Sequence, residues 1–239
     1  GEALGIDRMG HEKTRATARV KGWQITQVPN THGHHDHTGG NAAVMAATGA
    51  KLIAHHKAGG RIAGVDRGVK AGDVIRVGKT VELECLDTPG HTMCHICLRS
   101  HTEQPALFSG DTLFNAGAGN VHNGGDVGAL YASFVDQLAR LPDNTLVYPG
   151  HDYIENNLSF TLDREPDNAA ARALLPGVAG QDPARSVVTT LAEEKQINTF
   201  LRLDSASVIA RLRESFPELT DAPDARTVFT KLRELRNRW

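Results

Sequence analysis

The stretch Thr31-His32-Gly33-His34-His35-Asp36-His37 constrains this chain more than any other. It holds four of the twelve histidines and follows directly on a β-rich run at 24–28. In extended backbone alternate side chains share a face, so His32 and His34 can converge on one ion. Asp36 and His37 come where the chain turns toward a helix start at Gly39-Gly40-Asn41 and can face a neighbouring position. Imidazole and carboxylate suit zinc, iron or manganese and not calcium. A solvated histidine-rich loop or tag-like tract would lack the ordered run before it and the Gly-Gly helix start after it.

Three further segments repeat one pattern, in which a strand is followed by a turn and then a ligand type. They are Thr88-Pro89-Gly90-His91, Ser109-Gly110-Asp111 and Tyr148-Pro149-Gly150-His151. Glycine stands immediately before each candidate, which lets the backbone turn sharply and aim the next side chain inward. With the histidine cluster these segments supply seven ligands, enough for two adjacent ions sharing one carboxylate.

The rest of the chain is consistent with a folded enzyme. Its 239 residues are 40% hydrophobic and 23% charged, enough to bury a full core. Net charge is −2, with 26 basic against 28 acidic residues, so no basic excess points to nucleic acid. No apolar run has the length of a membrane span. Three cysteines make no disulfide framework, so the reading is a cytoplasmic, reducing setting. No secretory signal is visible at the start, and Gly1 is no initiator.

Strands are predicted at 3–7, 24–28, 51–55, 73–77, 80–87, 96–99, 106–109 and 145–148, and helices at 12–21, 42–48 and 129–141. Together they read as a mixed sheet covered by helices. Beyond about residue 160 helices dominate, at 168–175 (stopped by Pro176), 205–215 and 223–238, the last with Val228, Leu232 and Leu235 on one face. Cys94 and Cys97 form a C-x-x-C without a second pair and read as packing residues. His11, His55, His56 and His101 read as surface or loop residues, and His95 as a possible support for the ligands.

These motifs resemble the metallo-β-lactamase superfamily, and the chain as a whole resembles its glyoxalase II branch, the hydroxyacylglutathione hydrolases. The branch-level likeness rests on Gly110-Asp111-Thr112-Leu113-Phe114, Tyr153 with Asn157-Leu158, Glu165-Pro166-Asp167-Asn168, Thr190–Glu194, Phe200-Leu201-Arg202, and Val228-Phe229 with Leu232-Arg233 and Arg236. The resemblance implies an αββα sandwich at 1–158 as catalytic domain and a small helical domain at 159–239 that binds glutathione. It assigns His32, His34 and His91 to a first metal, Asp36, His37 and His151 to a second, and Asp111 to both, with Asp36 and Asp111 also tuning the nucleophile. The ions would be divalent, zinc first, with iron or manganese as alternatives. The implied reaction is hydrolysis of S-(2-hydroxyacyl)glutathione, such as S-lactoylglutathione, by a metal-activated water. A lactonase or a thioesterase for another thiol is the alternative enzyme, and a non-catalytic metal-binding protein the alternative outside enzymes. The implied partner is the small-molecule thioester, with no nucleic acid or membrane, for a monomer or weak homo-oligomer.

For the thiol portion the resemblance implies Tyr153, the positions of Asn120 and His122, and the pair Arg233 and Arg236, which as i, i+3 neighbours share a helix face and could clamp carboxylates. The family usually has a basic residue at 120, an aromatic at 122 and a cysteine at 118. This chain has Asn120, His122 and Ala118, so one charged contact to glutathione is missing. Arg8 stands where the family has proline, and family members have two strands ahead of residues 3–7, so upstream sequence is expected.

Overall fold

A computed structural model of the chain describes residues 1–7, 10–182 and 185–239. The Arg8 departure lies outside the described residues. The strands form two stacked sheets, as the resemblance implies, where periodicity alone reads as one mixed sheet. The first is wholly parallel, in the order β1 (Glu2–Leu4), β2 (Gln24–Pro29), β3 (Lys51–His55), β4 (Arg67–Val69). The second is mixed. It runs β12 (Thr189–Thr190), β11 (Leu146–Pro149), β8 (Ala106–Gly110), β7 (Ile96–Ser100), β6 (Val81–Asp87), β5 (Val74–Val77), with only β11 and β8 parallel. A two-stranded ribbon, β9 (Leu113–Phe114) and β10 (Gly117–Ala118), follows β8.

Period-two alternation explains the layers, because each strand feeds two cores. On β3, Ile53 joins Val69, Ile75, Leu83, Ile96 and Leu98 between the sheets. Its neighbours Leu52 and Ala54 face the other way, with Ala18 of α1 (His11–Lys21) and Val44 of α3 (Asn41–Thr48). On β7, Ile96 and Leu98 point inward, while Cys97 joins a third core with Leu107 and Val147. That core also takes Leu130 of α4 (Val127–Ala132), together with Phe134 and Leu138 just beyond it, and the C-terminal helices. Helix, sheet, sheet and helix are therefore stacked in that order. The middle core marks the two layers, since Ile53 and Val69 of the first sheet meet Ile75, Leu83, Ile96 and Leu98 of the second.

Two helices depart from the sequence pattern. The predicted 129–141 helix is α4 followed by a wide turn at Ser133–Gln137 and a tight one at Leu138–Arg140. The changed pitch still leaves Leu130, Phe134 and Leu138 fully buried, so packing overrides regular winding. Pro176 does not stop α6 (Ala169–Val178). It removes one amide donor near the C-terminal end, where the exposed Arg172 carbonyl can turn to water. A helix absent from the prediction, α5 (Ile154–Arg164), crosses the expected domain division at 158/159.

Beyond α5 come α7 (Leu191–Ile197), α8 (Ala206–Ser215) and α9 (Ala225–Arg236). Asp224 caps α9 by accepting from the Thr227 amide at 2.9 Å. Its stripe of Val228, Phe229 and Leu232 is buried, and Phe229 meets the rings of Tyr131, Phe134 and Phe200. The helical region therefore shares a core with the second sheet. His55 is buried rather than a loop residue, with its ring against His56 and Nε2 3.4 Å from Asp87. No helix among the described residues is long and apolar enough to cross a membrane.

Candidate metal centre

All seven predicted ligands meet at one end of the two sheets. The loop after β2 carries His32 and His34, and α2 (His35–Thr38) carries Asp36 and His37. His91 follows β6, Asp111 follows β8 and His151 follows β11. His34 Nδ1 lies 3.0 Å from both His32 Nε2 and His91 Nε2. In the second group, His37 Nε2 is 3.1 Å from His151 Nε2, which is 3.2 Å from Asp36 Oδ2. Asp111 reaches both groups, with Oδ1 3.3 Å from His37 Nε2 and Oδ2 3.4 Å from His151 Nε2 and 3.7 Å from His91 Nε2.

The far side of each ring decides what these atoms offer. His32 Nδ1 sits 3.0 Å from Thr31 Oγ1, whose own proton goes to Asp7 Oδ2 at 2.6 Å, so His32 is the donor. His91 Nδ1 donates to the Asn120 carbonyl at 2.7 Å. His37 Nδ1 donates to Asp7 Oδ2 at 3.0 Å. His32 and His91, both neutral, then present a bare Nε2 lone pair inward, and His37 does so once its second proton is displaced, the usual way a metal-binding histidine is fixed. One hydrogen on His34 Nδ1 could not satisfy both nitrogens that face it. Asp111 Oδ1 is buried and, among the described residues, has no hydrogen-bond partner, although His37 Nε2 is close. Metal–ligand bonds of 2.0–2.1 Å in a tetrahedral site put ligand atoms about 3.3 Å apart. The spacings here, 3.0 to 3.7 Å, fit that requirement, and the centre is a divalent-metal site.

Burial and charge divide the groups. Burial holds the His32 and His91 pKa values below the ordinary range, so both stay neutral. Burial also opposes charge on His37, but the close carboxylates of Asp111 and Asp7 outweigh it and raise its pKa to about 10. His151 is raised mainly by its hydrogen bond to Asp111. Burial would lift the Asp111 carboxyl, yet His151 and His37 hold it well below the usual range. Without a cation, the carboxylates draw protons onto the second group.

Supporting residues come from distant parts of the chain. Asp7, at the end of the predicted first strand and with a left-handed φ of 50°, also accepts from the Thr31 amide at 2.8 Å. Nothing local marks it, since it ends a predicted strand and follows Ile6 instead of the glycine that precedes Asp111. His95 is buried and accepts from the Asp111 amide at Nε2 (3.2 Å), so its proton lies on Nδ1, which faces the hydroxyls of Thr88 and Thr112 at 3.0 Å. Two ligand-preceding glycines act for different reasons. Gly110 has φ +49°, as the sharp-turn reading requires. Gly150 is needed for space, since a Cβ there would stand 2.3 Å from Asp111 Oδ1.

A groove of about 350 Å3 opens over the centre, walled by Phe114, Asn120, Asn123 and Tyr153. Tyr153 stacks on His151 with ring centroids 5.2 Å apart. The remaining predicted contacts are placed differently from the sequence reading. His122 is exposed and does not line the groove; its amide donates to Asn120 Oδ1 at 3.2 Å. Arg233 is only 5% exposed, and its Nη1 donates to the carbonyls of Ala118 (2.7 Å) and Gly119 (3.1 Å). Burial, then the nearby Arg236, brings its pKa down to about 9. Arg233 thus braces the backbone behind Asn120 and is not half of an open clamp. Arg236 is half-buried and donates to Asn157 Oδ1 at 3.2 Å.

A helix-covered pair of sheets with two histidine groups joined by one aspartate defines the metallo-β-lactamase superfamily, and residues 8–151 match that superfamily. Among solved structures, ETHE1 from Myxococcus xanthus shares the fold at TM-score 0.64 and 26% identity, covering 96% of this chain and 89% of its own. TTHA1623, solved in a di-iron-bound form, does so at TM-score 0.57 and 25% identity, over 82% and 88%. Residues 152–239 match the family described as hydroxyacylglutathione hydrolase C-terminus. A hydroxyacylglutathione hydrolase from Polaromonas sp. is 86% identical over all of this chain and 91% of its own length. The chain belongs to the hydroxyacylglutathione hydrolase family.

Proposed function

We propose that this protein hydrolyses S-(2-hydroxyacyl)glutathione thioesters, S-lactoylglutathione among them, to glutathione and the 2-hydroxy acid, and thereby serves in methylglyoxal detoxification. The observation that carries this reading is the placing of Asp111 between two converging histidine groups beneath an open groove. His32, His34 and His91 would hold one divalent ion, Asp36, His37 and His151 a second, and Asp111 both. Zinc suits this donor set first, with iron or manganese as alternatives. When bound, such ions polarise a carbonyl and bring the pKa of water from about 15.7 to near 7.

The chain's own groups supply the rest. Asp111 and the exposed Asp36 orient the attacking water by accepting its hydrogens, and the Asp36 carboxylate takes the proton released on attack. Burial raises the Tyr153 phenol, which keeps its proton and can donate to the substrate. Phe114 and Tyr153 present apolar faces that shield the reacting carbonyl. The thiol leaves as a thiolate, so no strong acid is required. The α/β part would hold the ions and the helical part from α5 onward would hold the tripeptide. Free Cys85, Cys94 and Cys97 suit a reducing cytoplasm, where glutathione is available. We read the working form as a monomer or weak homo-oligomer.

Elemental analysis combined with an S-lactoylglutathione assay tests this function. About two ions per chain and efficient turnover are expected. Less than one ion per chain, or cleavage of other thioesters or lactones but not this one, would overturn it.

A further inference from the structure

The groove wall at 119–125 carries no cation, since its polar contributions are Asn120 and Asn123. A guanidinium reaches this wall from elsewhere in the chain. Arg61 follows the single turn Ala58–Gly60, its amide donating to the Ala58 carbonyl at 2.8 Å. Its stem lies on the ligand loop, because a Cβ at Gly33 would stand 3.2 Å from Arg61 Cβ and 3.9 Å from Cδ. Its head lies at Gly124, where a Cβ would stand 3.2 Å from both Nη atoms. The side chain therefore crosses the loop bearing His32 and His34 and ends one residue beyond Asn123. Among the described residues its guanidinium has no hydrogen-bond or ion-pair partner. Arg61 also lines a cavity of about 410 Å3 that shares His35 with the groove.

We propose that Arg61 is a substrate-binding residue that receives a carboxylate of the tripeptide thiol. The proposal rests on the glutathione reading above. The 2-hydroxyacyl end of the substrate is uncharged, so its anions are the two tripeptide carboxylates, and a guanidinium at the rim has only these to pair with. Arg236 of α9 lies beside Tyr153 and α5, so two cations on separate segments match two carboxylates on one ligand. Arg61 thereby supplies the charge that Asn120 does not.

The test uses the metal-loaded protein and its Arg61→Met variant, which keeps most of the stem against Gly33, with Arg61→Lys as the conservative control. Binding of glutathione is measured by calorimetry. Kinetics are measured with S-lactoylglutathione and with the lactoyl thioester of N-acetylcysteamine, a thiol without carboxylates. Arg61→Met should raise Kd and KM for the glutathione compounds about fivefold at low ionic strength, with kcat within about twofold. The difference should shrink in high salt, Arg61→Lys should recover part of it, and the uncharged thioester should be unaffected. Unchanged Kd and KM, or an equal loss on both thioesters, would overturn the assignment while leaving the hydrolase reading intact. If the unmodified protein neither binds glutathione nor cleaves its thioester, the function itself fails, and the role of Arg61 with it.

Discussion

The two histidine groups are built from similar ligands but stabilised in opposite ways. The first is deep and electrically quiet, with His32 backed by a hydroxyl, His91 by a carbonyl, and both rings held neutral by burial. The second is shallow and anionic. Asp36 is 54% exposed at the side chain, and Asp7 and Asp111 both face His37. A doubly charged ion in the first group must rely on lone pairs and on the shared Asp111, whereas in the second it meets carboxylates that otherwise hold protons on histidine. Asp111 therefore joins the two groups electrostatically as well as geometrically.

The largest effect should come from removing that join. Asp111→Asn is expected to lower kcat by roughly three orders of magnitude and to reduce metal content, measured by turnover and elemental analysis. Equal metal content and near-normal turnover would break the comparison. Asp7→Asn should act more strongly on the second group, whose His37 it touches directly, than on the first, which it reaches through Thr31. It weakens the acceptor behind His37 and is expected to lower affinity for one of two ions by about 10- to 100-fold in a chelator titration. Simultaneous loss of both ions would show that the groups are not separable. His95→Ala leaves the Asp111 amide and the Thr88 and Thr112 hydroxyls without their common partner, and should cost about 1–3 kcal/mol in denaturant unfolding.

A second buried carboxylate serves as a control for the charge argument. Glu194 accepts from Thr189 Oγ1 (2.6 Å), the Ala116 amide (2.9 Å) and Asn198 Nδ2 (3.0 Å), all neutral donors. Burial therefore prevails and raises its pKa to about 7, the opposite of Asp111 with its histidines. The folded state binds this proton more tightly than the unfolded chain, so stability should be full below pH 4.5 and fall as pH rises toward 7. Glu194→Gln should flatten that slope, by about 1–3 kcal/mol in unfolding titrations, with kcat changed less than about twofold. An unaltered slope would show that donor hydrogen bonds, not partner charge, set these shifts.

The residues that converge were legible because each stands in a local pattern: a contiguous histidine motif, or a glycine turn directly after a strand. Their supports were not. Asp7 meets Thr31 and His37 across 24 and 30 positions, and no local spacing records that pairing. His95 could be suspected from its place after His91, but its acceptor role became visible only once β7 lay beside β8. Arg233 and Arg236 share a helix face as the spacing predicts, yet one is spent on the Ala118 and Gly119 carbonyls, because the depth of a helix in its groove is a property of packing. The same limit explains why periodicity alone read as one sheet and the sandwich came only from the resemblance: alternation marks two-sided strands without saying which face meets which layer.

Residue chemistry and short-range periodicity were enough to mark the candidate ligand types, their order along the chain and the helical character of its last third. Only the tertiary structure decided which ring nitrogen faces inward, which carboxylates keep their charge and which arginine is left at the rim. Those outcomes depend on hydrogen-bond partners and desolvation contributed by segments far apart in sequence.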